Sequence, residues 1–254
     1  MKSCSAAAPC STANLGPGYD VFGLALDALE DKVKVSRIYP GVGRITIKNS
    51  DQAIPSMVES NSAGLVVKKM MQDFEISDST EIEITKGVPT GYGVGSSAAS
   101  AAAAAMAFNA LYDLKIDRNR LVEYAAEGEV ARSVLPKMVP LKDVVHNISG
   151  AATIVAGFAL KDVETITRGI DDVIIESARK HLIPGYDSVK QNAISAGALA
   201  VTISGAGPSM IAFLKTNKNA KMVAAAMAKG FKETGVESRT FVCRASKGAR
   251  LLAL

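Results

Sequence analysis

Between Gly91 and Met106 the chain reads GYGVGSSAASAAAAAM, with glycines at positions 91, 93 and 95, two serines, and then alanines without a charge. The alternating segment TEIEITKGVPT leads into it, which predicts a strand turning through glycines into a helix start. Such a turn is an anion site, because unpaired N–H groups and the helix dipole point at the same spot and glycine lets a phosphate approach the backbone. Ser96 and Ser97 offer hydroxyls to a phosphate or to Mg²⁺. Two further loops, STANLGPGYD (11–20) and SGAGPS (204–209), are also rich in Gly and end strand-like segments. Three converging loops of this kind would make a cleft lined by backbone donors.

Two better-known phosphate loops are a poorer match. A Walker A loop needs GxxxxGK[ST], and no lysine follows the last glycine. Gly93-x-Gly95-x-x-Ala98 fits the dinucleotide fingerprint, but that motif wants a second strand ending in an acidic residue ~20 positions on. The region around Asp113 and Asp117 reads instead as a helix junction. A loop around a nucleoside triphosphate remains. Against it stands the plainer reading that the glycines permit tight packing and the serines only cap a helix.

The elements that must position these loops follow from periodicity. The opening segment, KVKVSRI (32–38) and GRITIKN (43–49) read as strands, the last as a hairpin partner of the one before. Residues 61–74, 96–114 and a segment beginning at Asp117 read as helices, with Asp117 as N-cap. Helical patterns then run almost unbroken to Ala198. Strands are expected near 199–204, 209–214 and 240–244, with a helix between the last two.

Composition narrows the class. The chain has 254 residues, 48% hydrophobic and 21% charged, enough for one large core or two modest ones. A formal charge of +4 is spread over single basic residues, aromatics are 5% and Trp is absent, which argues against a nucleic-acid partner. Cys4, Cys10 and Cys243 form no metal or disulfide pattern, and the odd count favours a reducing compartment. The N-terminus is too polar for a signal peptide, and the uncharged runs 98–112 and 147–160 are short and Ala-rich for a membrane span. The expectation is a soluble cytoplasmic protein without a membrane or nucleic-acid partner.

Together the three loops carry a resemblance. PCSTANLGPGYDVFGLAL, GVPTGYGVGSSAASAAAA and VTISGAGPSMIAF, in this order, resemble motifs one, two and three of the GHMP kinases. Within that family the ANLGPGYD form of the first motif is similar to the branch that phosphorylates homoserine. The resemblance implies a two-lobed α+β fold, with a ribosomal-protein-S5-like N-terminal domain (1–131) and a ferredoxin-like C-terminal domain (132–254). It implies transfer of a phosphoryl group from Mg²⁺-bound ATP to the L-homoserine hydroxyl, an entry step to threonine.

The same resemblance carries residue roles. Pro89, Gly91, Gly93, Val94, Gly95, Ser96 and Ser97 would cradle the phosphates, while Asn61 and Ser62 would border the adenine. Ser97, with Ser96 as the alternative, and Glu129 would hold Mg²⁺. The register of the acidic helix is open, since Glu123 and Glu127 lie on one face of it. Asn14, Asp20 and Gly205 would meet the substrate; Asp20 would face its ammonium, and Arg132 and Arg179 its carboxylate. Asn14 and Asp20 could equally be turn residues, and an arginine is by default a surface residue. His146 and His181 have no partner spacing and read as structural. Dimers are common among similar proteins, so a homodimer is compatible with the reading.

One stretch departs from the family. Between EGEVA and RSVLPKM, at Ala131 and Arg132, a segment of ~50 residues is expected: a His-x-Asp-Asn loop and two or three strands. Without it the second domain is a strand short, and an Asn ligand of the substrate is lost. Either the protein possesses residues that this sequence omits, which is favoured, or it is shortened by deletion.

Overall fold

The computed structural model describes residues 2–39, 41, 43–49, 54–126, 136 and 138–253. Strand β1 (Lys2–Ala13) and strand β2 (Gly23–Ile38) form a long antiparallel pair, with a register shift between Pro9 and Cys10. Strand β4 (Ser79–Thr85) pairs antiparallel with the other edge of β2. Strand β3 (Ile45–Asn49) pairs with β4, and in parallel. The expected hairpin of β3 on β2 is therefore corrected: β1 and β4 occupy both edges of β2, so β3 must join beyond β4. The chain between β3 and β4 returns through a helix, as a parallel connection requires.

That helix is α1 (Ser62–Asp73), capped by Asn61, whose side-chain oxygen accepts from the Gly64 amide. The alanine block becomes α2 (Ser96–Tyr112), which packs on β1, β2 and α1. Its small residues let it lie close: Ala99, Ala101, Ala103, Ala104, Ala105 and Ala107 are all buried. Helix α3 (Arg118–Ala126) follows, and Asp117 Oδ1 accepts from the Asn119 and Arg120 amides as its cap. One apolar cluster unites this lobe. It joins Ala6, Val33, Val35, Ile82 and Ile84 of the sheet with Val67, Met70 and Phe108 of the helices.

The second lobe is mostly helical: α4 (Leu141–Leu160), α5 (Val163–Arg168), α6 (Ile175–Arg179), α7 (Tyr186–Ser195) and α8 (Ala220–Lys232). Its strands β5 (Ala200–Ile203) and β6 (Met210–Phe213) pair antiparallel as a two-stranded sheet. The third strand expected near 240–244 does not form there. The tail turns back to the first lobe, where the Asp27 amide donates to Arg244 O, Leu26 bridges Ala245, and β7 (Arg250–Leu251) pairs with β1. The physical reason is an open edge: β1 has backbone groups to satisfy beyond β2, and the tail supplies partners.

Helix α4 is long and apolar enough to cross a membrane by length and composition, and it is the single such helix among the described residues. The uncharged run 147–160 is its C-terminal part, and the helix reaches 20 residues by starting at Leu141. Lys142 and Asp143 lie within it, and it packs on α5.

Candidate active site

The glycine loop enters α2 with no side-chain cap. Gly95 occupies the N-cap position at φ 71°, and Gly91 and Gly93 also have positive φ, 82° and 70°. At Gly93 the constraint is double, because a Cβ there would stand 2.4 Å from the backbone oxygen of Ser204. The first-turn amides of α2 have no intrahelical acceptor. Ser96 is buried and its hydroxyl donates to Val88 O at 2.8 Å, whereas Ser97 is exposed on the open side. The main-chain oxygen of Ser97 accepts from Ser62 Oγ at 3.0 Å, which ties the starts of α1 and α2 together.

The three loops do converge, and they interlock. Ser11 N donates to Val94 O at 3.0 Å, joining the first loop to the second. Ser204 Oγ donates to Gly93 O at 2.9 Å and Ser209 N to Tyr92 O at 3.3 Å, joining the second to the third. Gly205 N donates to Ala13 O at 2.9 Å, and Asn14 Nδ2 returns a bond to Gly205 O at 3.0 Å. Asn14 Oδ1 also accepts from the Asp20 amide at 2.9 Å, so the Asn14 amide group braces the first loop against the third. Asp20 is exposed at the rim. Both residues have φ near +57°, the left-handed region that Asn and Asp tolerate in turns.

Arg179 reaches this junction from the second lobe. It is only 3% exposed, donates to Gly205 O at 3.1 Å, and lies over the Tyr19 ring at 5.3 Å. The short α6 that carries it is held at its start by Asp172, which accepts from the amides of Ile174, Ile175 and Glu176. Glu176, buried, is bound by Tyr186, Lys190 and Thr202. A cavity of about 10 Å³ lies among Asn14, Asp172, Glu176, Arg179, Thr202 and Gly205, room for one water. The hydroxyl of Tyr19, beside Arg179, is buried without a hydrogen-bond partner.

Of the other anticipated residues, Pro89 and Val94 lie between β4 and α2. Asn61 is buried, with its side chain spent on the α1 cap and on Pro55 O at 2.8 Å. His146 meets Asp171 at 3.1 Å. Glu127, Glu129 and Arg132, and the junction of Ala131 with Arg132, lie outside the described residues. Among the described residues no group of three or more His, Cys, Asp or Glu could hold a metal ion.

Sequence reasoning overlooked one feature of the site. Lys86 and Asp31 form a buried ion pair directly beneath the glycine loop. Nothing in the alternating strand patterns around either residue marks it, since the two are 55 positions apart. The signal that existed was a lysine on a strand end immediately before the loop.

The description "GHMP kinases N terminal domain" matches residues 61–136 and "GHMP kinases C terminal" matches residues 154–233. The chain belongs to the GHMP kinase family, with the two-domain α+β architecture of that family. It is similar to the homoserine kinase of Haloquadratum walsbyi, 35% identical over 293 positions, covering 96% of this chain and 98% of the relative. It is similar also to the homoserine kinase of Thermoplasma volcanium, 32% identical, covering 98% and 96%. Among solved structures, homoserine kinase from Cytophaga hutchinsonii superimposes with a TM-score of 0.87 at 27% identity, covering 99% of this chain and 98% of that one.

The first alignment bears on the departure noted in the sequence. Ninety-six per cent of 254 residues is about 244, so about 49 of the 293 positions have a residue in the relative and none here.

Proposed function

We propose that this protein transfers the γ-phosphoryl group of ATP to the side-chain hydroxyl of L-homoserine, in the cytoplasm. The observation that carries the reading is the interlocking of three glycine loops around the exposed first turn of α2. Membership of the family and full-length similarity to homoserine kinases support the substrate. Phosphoryl transfer asks chiefly for positioning and charge neutralisation, because its transition state is loose.

The residues present fit a phosphate. First-turn amides and glycines without Cβ atoms offer donors to a phosphate, and the α2 dipole adds favourable charge. Mg²⁺, when bound, neutralises the phosphate oxygens; Ser97 is the outward hydroxyl for it, with Glu129 as the carboxylate. Gly91, Gly93, Val94, Gly95 and Ser96 hold the phosphates through backbone, beside Pro89, with Asn61 and Ser62 bordering the adenine. Asp20 at the rim takes the substrate ammonium. Asn14 and Gly205 shape that pocket, and Arg179 with Arg132 orients the carboxylate. The division of the chain at residues 131 and 132 belongs to the same proposal.

The test is ADP release measured against L-homoserine, mevalonate and shikimate. Turnover with homoserine alone is expected; turnover with another alcohol alone shifts the substrate within the family, and MgATP binding without any turnover leaves a nucleotide-binding module. Ser97→Ala should lower kcat about a hundredfold, the scale of losing one stabilising group at the transition state. Its melting point should stay unchanged, because Ser97 caps nothing.

A further inference from the structure

We propose that Lys86, Asp31 and Ser100 form a positioning device for the phosphate loop: they set the angle of the α2 N-terminus without touching the nucleotide. The proposal rests on the reading of that loop as the phosphate site.

The three side chains are buried, Asp31 at 0%, Ser100 at 4% and Lys86 at 7% exposure. All three ammonium protons of Lys86 have acceptors: Asp31 Oδ2, Ser100 Oγ at 3.0 Å and the main-chain oxygen of Ser96 at 3.1 Å. Asp31 is equally saturated. Its Oδ1 accepts from the amides of Gly87 and Val88 at 3.0 and 2.9 Å, and its Oδ2 accepts from Lys86 and from Ser100 at 2.7 Å. One cluster therefore grips the chain where it leaves β4, at Gly87 and Val88, and again where it enters α2, at Ser96. The Ser96 hydroxyl closes the same clasp on Val88 O. Between the grips lie Gly91, Gly93 and Gly95, residues with no side chain of their own to hold a conformation.

Burying a charge pair is a poor route to stability, since apolar replacements of similar volume are often neutral or better. What the pair supplies is direction. A carbonyl held by a cation and two amides held by an anion fix the strand end and the helix start relative to each other, as hydrophobic side chains cannot. Lys86 is not a phosphate ligand of the Walker type, because its protons are spent within the cluster.

The experiment uses the full chain and the double variant Asp31→Leu/Lys86→Met, which replaces the pair by apolar groups. Melting temperature is measured, together with calorimetric affinities for MgATP, MgADP and adenosine. The expected result is a folded protein that binds adenosine as the wild type does and loses tenfold or more in affinity for MgADP and MgATP. A folded double variant with wild-type MgADP affinity overturns the proposal, as does an equal loss for adenosine, which would mean general loosening. If the double variant does not fold, Ser100→Ala decides. It frees one Lys86 proton and one Asp31 acceptor within an alanine-rich helix, and should weaken MgADP at least threefold with adenosine unchanged; no change in MgADP affinity overturns the proposal. A wild-type chain that binds no MgADP overturns the nucleotide reading and this proposal together, whereas a binding wild type with an equally binding folded double variant overturns this proposal alone.

Discussion

Among the described residues of the first lobe, five strands and three helices close on one apolar cluster running from Ala6 to Tyr124. In the second, β5 and β6 stand as a pair, and the buried residues fall into three small clusters, one around Val201, one around Ile154 and one around Ile183. Helix α4 buries only Ile154 and Gly157, while Leu141, Val145, Ile148 and Val155 stay more than half exposed. Two lobes of comparable length thus have unequal cores. A two-stranded sheet is marginal without further strands or helices packed on its face. The residues that grip the glycine loop, Asp31, Lys86 and Ser100, belong to the well-packed lobe, while Arg179 and Gly205 come from the thinner one. The homoserine kinase of Haloquadratum walsbyi has about 49 aligned positions with no residue in this chain.

The outcome that would change the comparison most is the intact mass of the purified protein. A mass well above 26.5 kDa is expected, and it would mean that the protein carries residues beyond these 254, enough to supply the strands the second sheet lacks. A mass at 26.5 kDa would make the inequality of the lobes a property of the molecule. Next in size is a pair of core truncations. Phe108→Ala, in the single large cluster, should cost about 3–5 kcal/mol in denaturant titrations, and Ile154→Ala, in a cluster of few members, about 2 kcal/mol. Equal losses would mean that the second core is as well packed as the first.

Gly93→Ala tests the junction between the lobes. Positive φ and a backbone oxygen at 2.4 Å make the substitution strained, at about 1–3 kcal/mol, and MgADP affinity should fall more than tenfold. A stability loss without a change in affinity would separate loop geometry from phosphate binding. The smallest effect concerns Asp162, the N-cap of α5, whose carboxyl is held below its ordinary value by the Thr165 hydroxyl. A depressed carboxylate contributes stability above its unfolded pKa and loses it as pH falls through the folded value. Asp162→Asn should therefore narrow the stability difference from wild type below pH about 4, read by acid titration of the melting temperature.

Period and punctuation made much of this legible beforehand. The helix at 62–73 needed only apolar spacing and a polar start; α3 needed Asp117, and the glycine turn into α2 needed glycines after an alternating strand. These are local properties, written in consecutive residues. Strand partners are not local. GRITIKN alternates equally well as the partner of β2 or of β4, and only the occupied edges of β2 decide for β4. FVCRA has strand chemistry, yet its backbone pairs with the first sheet, where Arg244 O accepts from the Asp27 amide and Arg244 N donates to Asp27 Oδ1, and never pairs with β6.

The candidate site divides in the same way. By itself the sequence determined the three loops, their glycines and the outward serine, because backbone freedom and helix starts depend on residue type. Only the tertiary structure decided that Asn14 braces Gly205, that Arg179 meets Tyr19, and that Asp31 and Lys86 lie buried together under the loop. The reason is that the energy of a buried charge depends on what surrounds it, and those surroundings come from strands and helices far apart in the chain.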